Sequence, residues 1–392
     1  MNILHINDKI TISGGVEVYI NQLMTLLPKY NLNAFWYGMI KNKSEYIISD
    51  KKTENQQLIN TDSLKDFVEH IVATKEIDVI HIHSISDYKI IDICTQVRPV
   101  IRSMHEPRIV CPGQGKFLRK SEIICDKRFG LHCIYDAYKE GCCNRHPIRL
   151  SKALFNTYYE VHRASKKYKA VLVMSNYMEN QAVKAGIEQS KIVLNPYFTI
   201  DDTIEFHQDD KKMKRILFVG RLSKTKGVHY FIKVAKILLA DNKNLVFDIV
   251  GDGHDGDYFK KLVPSDLAKH IVFHGWQSRE QITQHLHRAH ILAFTSIYPE
   301  AFGITGIEAM MHGKPVVGFD VGGVSTWLKD KNTGYLIPVK NTMLMSEKIQ
   351  HLIDDEVEYQ NFSDQSRLFA LENFTPDVHF KKLHSLYKSI IK

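Results

Sequence analysis

The chain has 392 residues, of which 44% are hydrophobic and 24% are charged, and its formal net charge is +8. This length favours two domains over a single hydrophobic core. Because the sequence has no ~20-residue apolar run and no signal-peptide pattern, we expect a cytoplasmic protein. The positive charge favours polyanionic partners such as nucleotide diphosphates, lipid phosphates and anionic membranes, whereas the missing zinc-finger spacing and RNA-binding aromatic signature argue against nucleic acid.

Short apolar runs alternate with helical periodicities in both halves of the chain. The strands predicted in the first half are Asn2–Ile6, Leu32–Tyr37, Asp78–His83, Val100–Met104 and Ala170–Met174. Those predicted in the second half are Arg215–Val219, Val246–Val250, Ile271–Phe273, Ile291–Thr295, Pro315–Phe319 and Gly334–Ile337. This alternation predicts parallel sheets with helices on both faces, arranged as two Rossmann-like domains with a polar linker around Ile200–Lys214.

Two adjacent glycines, Gly14 and Gly15, follow the first predicted strand and lead into a helical pattern. Glycine allows the backbone to approach a ligand closely, although an ordinary tight turn has the same composition. Farther along, His105 directly follows the strand Val100–Met104. A lone histidine at such a place is either structural or a ligand contact.

Five of the six cysteines fall in an aperiodic stretch at about 106–147, which we interpret as an insertion. They are Cys111, Cys125, Cys133, Cys142 and Cys143. Disulfides are disfavoured in a cytoplasmic protein, so the group either consists of free cysteines or binds zinc or an iron–sulfur cluster. The spacing lacks tight Cys-x2-Cys pairs, and both alternatives stay open.

The segment Asn144–Lys169 interleaves seven basic residues with Leu and aromatic residues. A helix of this kind can lie on an anionic bilayer. The alternative is a helix that buries its aromatic face in the domain, and we favour burial of the aromatic residues while the basic face remains free for electrostatic attachment.

A candidate phosphate-binding loop runs from Gly220 to Gly227, directly after the strand Arg215–Val219. Arg221 and Lys226 then project from the carboxyl end of that strand, which is the usual ligand side of an open α/β sheet. Arginine presents a planar fork to phosphate oxygens and lysine a movable point charge. The sequence of this loop therefore predicts a phosphate-binding site.

The segment Gly251–Gly256 fits the dinucleotide fingerprint G-x-G-x-x-G. Its Asp252 and Asp255 would repel a pyrophosphate, and no acidic residue stands about twenty residues on, so we interpret the segment as a turn. Asp255-Gly-Asp257 also matches a short Asp-x-Asp metal motif, which carries no prediction by itself.

Two glutamates, Glu300 and Glu308, flank seven residues that contain two glycines. The pattern predicts a strand, a tight loop and a helix that begins near Ile304. The free N–H groups and dipole of the first helical turn suit a phosphate, while carboxylates suit hydroxyls. A ligand that combines phosphate and polyol, such as a nucleotide sugar, is therefore expected.

This segment resembles the Glu-x7-Glu signature of retaining glycosyltransferases of family 4, which have the GT-B fold of two Rossmann-like, doubly wound domains facing a central cleft. Pro299, Phe302, Gly303, Gly313 and Pro315 also match the family pattern, while Thr305 and Gly306 depart from it. The loop Gly220–Gly227 resembles the Gly-Arg-Leu…Lys-Gly element of the same family. The resemblance covers nearly the whole chain and is most specific from Gly220 to Pro338.

The resemblance implies roles for individual residues. The catalytic set it implies is Glu300, Arg221, Lys226 and His105. The donor-binding set it implies is Gly14, Gly15, Gly220, Gly275, Trp276, Phe302, Gly303, Ile304 and Glu308. Donor binding by protein cations makes a catalytic metal or other cofactor unnecessary, and the five cysteines remain a possible structural metal site.

The resemblance also implies an organisation and an activity. Residues 1–198 would bind the acceptor, residues 199–374 would bind a UDP- or GDP-sugar, and a helix at 375–392 would cross back to the first domain. We expect transfer to a carbohydrate or lipid-linked hydroxyl in cell-surface polysaccharide or glycolipid assembly, by an enzyme peripheral to the inner face of the plasma membrane. The alternatives are a nucleotide-sugar epimerase of similar fold and a non-catalytic carbohydrate-binding protein.

Overall fold

The computed structural model describes residues 1–12, 14–202 and 213–391. They divide into two compact units, Met1–Pro196 with Phe380–Lys392, and Tyr197–His379. The boundaries expected from sequence, after residues 198 and 374, lie within five residues of this division. Most of the predicted linker lies outside the described residues.

The first unit contains an eight-stranded sheet of order β10-β9-β6-β5-β1-β2-β3-β4 and a separate two-stranded ribbon, β7-β8. Its strands are β1 (Asn2–Asn7), β2 (Asn33–Asn42), β3 (Glu45–Asp50), β4 (Gln56–Asn60), β5 (Val79–Ile82), β6 (Val100–Met104), β7 (Phe117–Leu118), β8 (Ile123–Ile124), β9 (Ala170–Val173) and β10 (Ile192–Leu194). Strands β1, β5, β6 and β9 are almost entirely buried, as expected for parallel strands covered on both faces.

The helices of this unit begin with α1 (Gly15–Leu26), α2 (Leu64–Thr74), α3 (Tyr88–Val97), α4 (His132–Glu140), α5 (Pro147–Tyr159), α6 (Ser165–Lys167) and α7 (Asn176–Ala185). A π-helical turn at Glu160–Ala164 joins α5 to α6. The unit also holds the C-terminal residues Phe380–Lys392.

One edge of this sheet differs from the prediction. Strands β2, β3 and β4 pair antiparallel, although the sequence predicted parallel sheets and missed β3 and β4. Their connections include Lys43 and Glu54 with positive φ of 51° and 55°. The usual glycine or proline signal is therefore missing at both turns.

The second unit contains a six-stranded parallel sheet of order β13-β12-β11-β14-β15-β16. Its strands are β11 (Lys214–Val219), β12 (Leu245–Val250), β13 (Ile271–Gly275), β14 (Ile291–Phe294), β15 (Val316–Phe319) and β16 (Gly334–Ile337). Its helices are α8 (Val228–Asp241), α9 (Gly256–Lys261), α10 (Arg279–Arg288), α11 (Ile304–Met311), α12 (Val324–Trp327), α13 (Thr342–Asp354) and α14 (Glu356–Asn373). The sequence order reverses between β11 and β14, where an open α/β sheet usually binds its ligand.

The last helix, α15 (Pro376–Ile391), starts in the second unit and continues into the first. Tyr387 on this helix is fully buried within the first unit. Among the described residues, no helix combines the length and the apolar character needed to span a lipid bilayer.

The basic segment of the first unit forms α5 and the turns that follow it, and it corrects one expectation. Phe155 and Tyr158 are 49% and 45% exposed, and Ile148 is 73% exposed. Only Leu150 and Thr157 of α5 are buried. Two of the aromatic residues that we expected in the interior, Phe155 and Tyr158, are therefore about half exposed, since α5 turns a narrow face to the domain.

Candidate active site

The loop after β11 brings a lysine to the end of β14. Lys226 ends a short 3-10 helix, and Gly227 follows it with φ of 73°. A Cβ atom at Gly227 would stand 1.8 Å from the carbonyl oxygen of Thr295. Only glycine permits this approach, and the approach places Lys226 beside the loop that follows β14.

An ion pair joins the two predicted motifs. The Nζ atom of Lys226 lies 2.6 Å from Oε1 of Glu300, and the Oγ atom of Ser296 donates to the same oxygen at 2.6 Å. Glu300 is 8% exposed. A nearly buried carboxylate thus holds the ammonium group in one position, because two donors fix the oxygen that it contacts.

Two further glycines hold the backbone of Glu300. A Cβ atom at Gly322, which has φ of 55°, would stand 2.4 Å from the carbonyl oxygen of Glu300. The N–H group of Gly323 donates to that carbonyl at 2.7 Å. In the sequence, the adjacent glycines mark a turn without indicating what it contacts. The structure shows that it positions Glu300.

Helix α11 starts four residues after Glu300, at Ile304. Gly303 precedes it with φ of 95° in the left-handed region, and the helix therefore begins at Ile304, where the sequence placed it. Phe302 is 1% exposed and its carbonyl accepts from Nε1 of Trp327 at 2.6 Å. The Phe302 side chain thus belongs to the hydrophobic core. If Phe302 contacts the donor as predicted, its backbone N–H would make the contact.

Glu308 lies on the second turn of α11, with its side chain 20% exposed. Burial raises the pKa of Glu308, while the Arg279 guanidinium, 3.9 Å away, opposes that rise. Arg279 begins α10 and was not singled out from the sequence. The pair leaves Glu308 with unused acceptor capacity, which suits a hydroxyl ligand.

A cavity of about 430 Å³ opens at the carboxyl ends of β11, β12 and β13. Its lining includes Leu222, Gly251, Gly253 and Gly275, and Trp276 beside Gly275 is 75% exposed.

The turn after β12 packs against the loop after β11. A Cβ atom at Gly251 would stand 2.0 Å from the carbonyl oxygen of Gly220, and one at Gly253 would stand 2.4 Å from that of Leu222. The backbone N–H of Lys224 donates to Asp255 at 3.0 Å. The G-x-G-x-x-G match is therefore a turn that positions the Arg221 loop, and Arg221 itself is exposed.

The first unit places His105 at the end of a buried chain of histidines. Nε2 of His105 lies 2.8 Å from Nδ1 of His83, and Nε2 of His83 lies 2.9 Å from Nδ1 of His5. Burial lowers the pKa of His5 and of His105 to about 3, and it lowers that of His83 well below its usual value. The three rings are therefore neutral at pH 7.

His81 lies beside this chain, and the ring nitrogens of His5, His81 and His83 fall within 4.8 Å of one another. A metal ion would have to displace existing partners, because His81 contacts Tyr387 and Ser103 at 2.7 Å each and both nitrogens of His83 are engaged. In the described part of the chain, only Nε2 of His5 among these atoms is buried without a hydrogen-bond partner. The cluster fits hydrogen bonding better than metal binding.

Gly14 caps the N-terminus of α1, and Gly15 is its first residue. A Cβ atom at Gly15 would meet nothing within 4 Å, so the backbone there is open to a ligand. The same unit contains a second cavity, of about 450 Å³, whose lining includes Lys9, Lys41, Arg108, Arg149 and Lys152.

Residues 199–369 match the family model of glycosyl transferases group 1. The chain is 27% identical to a poly(ribitol-phosphate) alpha-N-acetylglucosaminyltransferase of Staphylococcus aureus, over 58% of this chain and 47% of that protein. It is 24% identical to an uncharacterized 41.2 kDa protein in the cps region of Klebsiella pneumoniae, over 99% of this chain and 100% of that protein. The chain thus spans about half the length of the first relative and all of the second.

Among solved structures, Anabaena Alr3699/HepE in complex with UDP superposes with a TM-score of 0.68 at 17% identity, over 99% of this chain and 100% of that one. The chain is a glycosyltransferase with the GT-B fold. The two Rossmann-like units of this glycosyltransferase agree with the fold class predicted from sequence, and the transferase assignment disfavours the epimerase and non-catalytic alternatives.

Proposed function

We propose that this glycosyltransferase belongs to retaining family 4 and moves a glycosyl unit from a nucleotide-diphosphate sugar to an acceptor hydroxyl in cell-surface polysaccharide or glycolipid assembly. The contact between Lys226 and Glu300 beside the start of α11 carries the proposal. It joins a cation, an acid and a helix N-terminus at the carboxyl edge of one sheet, which are the groups that a sugar phosphate requires.

The leaving diphosphate gains negative charge as the bond between the anomeric carbon and the phosphate oxygen breaks. Lys226, Arg221 and the N–H groups of Ile304 and its neighbours would stabilise that charge, and fixed donors aimed at developing charge supply a large catalytic term. The acceptor hydroxyl bonds to the anomeric carbon on the same face, and its proton passes to the departing phosphate. No metal or other cofactor takes part in this scheme.

The nucleotide would occupy the 430 Å³ cavity of the second unit. Gly275 lines it, and the exposed Trp276 offers a ring against a base. Glu308 would accept from ribose hydroxyls. UDP is the nucleotide we favour over GDP, because the Anabaena structure contains UDP.

His105 would contact the donor sugar as a hydrogen-bond donor. A buried N–H without a partner is rarer than a buried acceptor without one. We therefore assign Nε2 of His5, which has no partner, as the unprotonated ring nitrogen. The N–H groups then point from His5 to His83 and from His83 to His105. This leaves the ring proton of His105 on Nδ1.

The acceptor would bind in the 450 Å³ cavity of the first unit. Five cations and three acids, Asp8, Asp87 and Glu160, line it, which favours an anionic or phosphate-bearing carbohydrate. The Staphylococcus aureus relative, whose name gives poly(ribitol-phosphate) as its acceptor, supports this class.

Attachment to the inner face of the plasma membrane is part of the proposal. Ile148, Phe155 and Tyr158 are exposed on α5 next to the exposed Arg149 and Lys152. Apolar and basic side chains on one surface suit an anionic bilayer, and such a location would bring the enzyme to lipid-linked acceptors.

The experiment is a donor and acceptor screen read by NMR. Purified enzyme is incubated with UDP- and GDP-sugars, with and without poly(ribitol phosphate), and the anomeric configuration of each product is determined. We expect a product only with acceptor, with the configuration of the donor retained. An inverted product would exclude the retaining mechanism, and conversion of donor without acceptor into a new nucleotide sugar would show an epimerase.

A further inference from the structure

The middle of the cysteine insertion, residues 118–135, contributes nothing to a hydrophobic core. None of the residues from 118 to 135 is buried, and apolar residues of the insertion such as Leu131 and Tyr135 are 88% and 63% exposed. The regular structure there consists of the two-residue strands β7 and β8 and the helix α4. Segments this small usually need a disulfide or a metal to hold one conformation.

The five cysteine side chains of this insertion converge. Electrostatic interactions connect Cys111 with Cys125, Cys133, Cys142 and Cys143. A Cβ atom at Gly113 would stand 2.2 Å from the carbonyl oxygen of Cys142 and 3.7 Å from Sγ of Cys111, so two distant parts of the insertion meet at this glycine. All five are free thiols.

Backbone N–H groups surround the sulfur atoms. Those of Gly113 and Lys116 donate to Cys111, that of Gly130 donates to Cys133, and that of Asn144 donates to Cys143. Hydrogen bonds to sulfur stabilise a thiolate. The chain takes a left-handed conformation at Gln114 and Lys116, with φ of 64° and 50°.

Cations also surround the sulfur atoms. The buried ammonium of Lys116 interacts with Cys111 and Cys133, Lys127 interacts with Cys125 and Cys133, and Arg119 interacts with Cys143. Four thiolates around a divalent centre carry a net negative charge, which these cations would balance.

We propose that Cys111, Cys125, Cys142 and either Cys133 or Cys143 bind a thiophilic metal centre, Zn²⁺ or an iron–sulfur cluster. Both are held by four thiolates. Zinc–sulfur bonds of about 2.3 Å set tetrahedral sulfurs roughly 3.8 Å apart, whereas within the described residues no three of these sulfurs fall within 4.8 Å of one another. Zinc would have to draw the sulfurs together, and a cluster needs less movement because its ligands lie farther apart.

The centre would fix one wall of the candidate acceptor cavity. Cys111, Pro112 and Gln114 line that cavity, and Cys143 reaches the carbonyl of Pro112 with Sγ at 3.3 Å. Metal binding would therefore hold the loop 111–114 in place without taking part in the transfer reaction.

The test uses the full chain purified under anaerobic conditions, with zinc, iron and acid-labile sulfide measured per chain. We expect about one zinc, or about four irons with equal sulfide. Cys111→Ser and Cys142→Ser should lose at least four-fifths of the metal. Cys94→Ser should retain it, because Cys94 is buried on α3 outside the insertion. Less than a tenth of an equivalent of metal, or equal loss in the Cys94 variant, would overturn the proposal.

A second measurement covers variants that fail to fold. The unmodified, metal-free chain is titrated with Co²⁺ and read by absorbance, where thiolate ligation gives intense sulfur-to-cobalt charge-transfer bands. We expect saturation at one equivalent and loss of the bands after cysteine alkylation. Absence of the bands, or a thiol assay that finds the cysteines paired as disulfides, would contradict a metal centre. Neither readout depends on the transfer activity.

Discussion

The two units hold ionisable residues by opposite means. In the second unit, Lys226 and Glu300 are in direct contact at the end of a strand, and both keep some exposure at 34% and 11% of their side chains. In the first, His5 and His83 are fully buried and neutral, and the buried His81 beside them is hydrogen-bonded to Tyr387 and Ser103. Charge is thus placed where a ligand can reach it, and a polar interior is kept by neutral rings, because a buried charge without a partner is costly.

One buried ion pair of the first unit departs from this pattern, and removing half of it is expected to have the largest effect. Arg102 and Glu160 are 1% and 4% exposed and lie 2.5 Å apart. Glu160→Ala leaves the guanidinium buried without its carboxylate and should destabilise the first unit by about 3–5 kcal/mol. Urea unfolding measures the loss, and Glu69→Ala at the exposed Lys65–Glu69 pair is the control, expected to change stability by less than about 1 kcal/mol.

The second-largest effect is expected at the charged site of the second unit. Lys226→Ala removes the cation proposed to stabilise the leaving diphosphate and should lower kcat by roughly 10²–10³-fold, with little change in thermal stability. Lys224→Ala removes an exposed neighbour that lies over the Tyr258 ring, and it should leave kcat within about threefold. Near-normal turnover of the Lys226 variant would show that Lys226 does not stabilise the leaving diphosphate.

The sequence located the two loops of this candidate site better than it predicted the strands of the first unit. The spacing of Gly220–Gly227 and Glu300–Glu308 identified both loops, because a short strand followed by glycine marks a turn locally. The contact of Ser296 with Glu300 and the approach of Gly322 to it depend on how loops meet in three dimensions, which spacing does not encode. Ser296 carries no pattern of its own, and the glycine pair at 322–323 marks a turn without indicating its contact with Glu300.

The histidine chain did leave a signal in the sequence that was not used. His81 lies on β5 and His83 directly follows it, and this spacing of two residues turns both side chains to the same side of the sheet. The parallel register places His5 opposite His81. The interpretation of Asp78–His83 as an ordinary strand was confirmed, but two polar residues on its buried face indicated a polar interior. The antiparallel edge β2-β3-β4 was missed for another reason, since its turns lack glycine and proline.

Ser296→Ala tests how tightly the second unit positions its acid. The Ser296 hydroxyl donates to the same oxygen of Glu300 as Lys226, and a hydrogen bond to a charged group contributes about 1.5–3 kcal/mol. We expect kcat to fall by roughly tenfold while KM for the donor changes less. Ser325→Ala, a substitution of an exposed serine on α12, should be neutral. An unchanged kcat for Ser296→Ala would show that Lys226 and the backbone suffice to hold Glu300.

The smallest expected effect concerns pH and sharpens the picture of a neutral interior. Because the pKa values of His5 and His105 are lowered to about 3 in the folded state, the unfolded chain, with histidine pKa near 6.5, binds more protons below that pH. The stability that these groups contribute is present above pH 6.5 and is lost as the pH falls from there toward 3. In that window, each histidine lowers the free energy of unfolding by up to about 1.4 kcal/mol for each pH unit of acidification.

Hydrogen exchange of peptides that cover Asn2–Asn7 and Val79–Ile82 measures this slope within the first unit. The His5→Phe variant should be less stable than the unsubstituted chain at pH 7 but should lose less stability on acidification, since one buried ring no longer resists protonation. His254→Phe alters an exposed histidine of the second unit, with 75% of its side chain accessible, and should leave the slope unchanged. An equal slope in the His5 variant would mean that the buried rings are protonated in the folded protein, and the contrast between the two units would then fail.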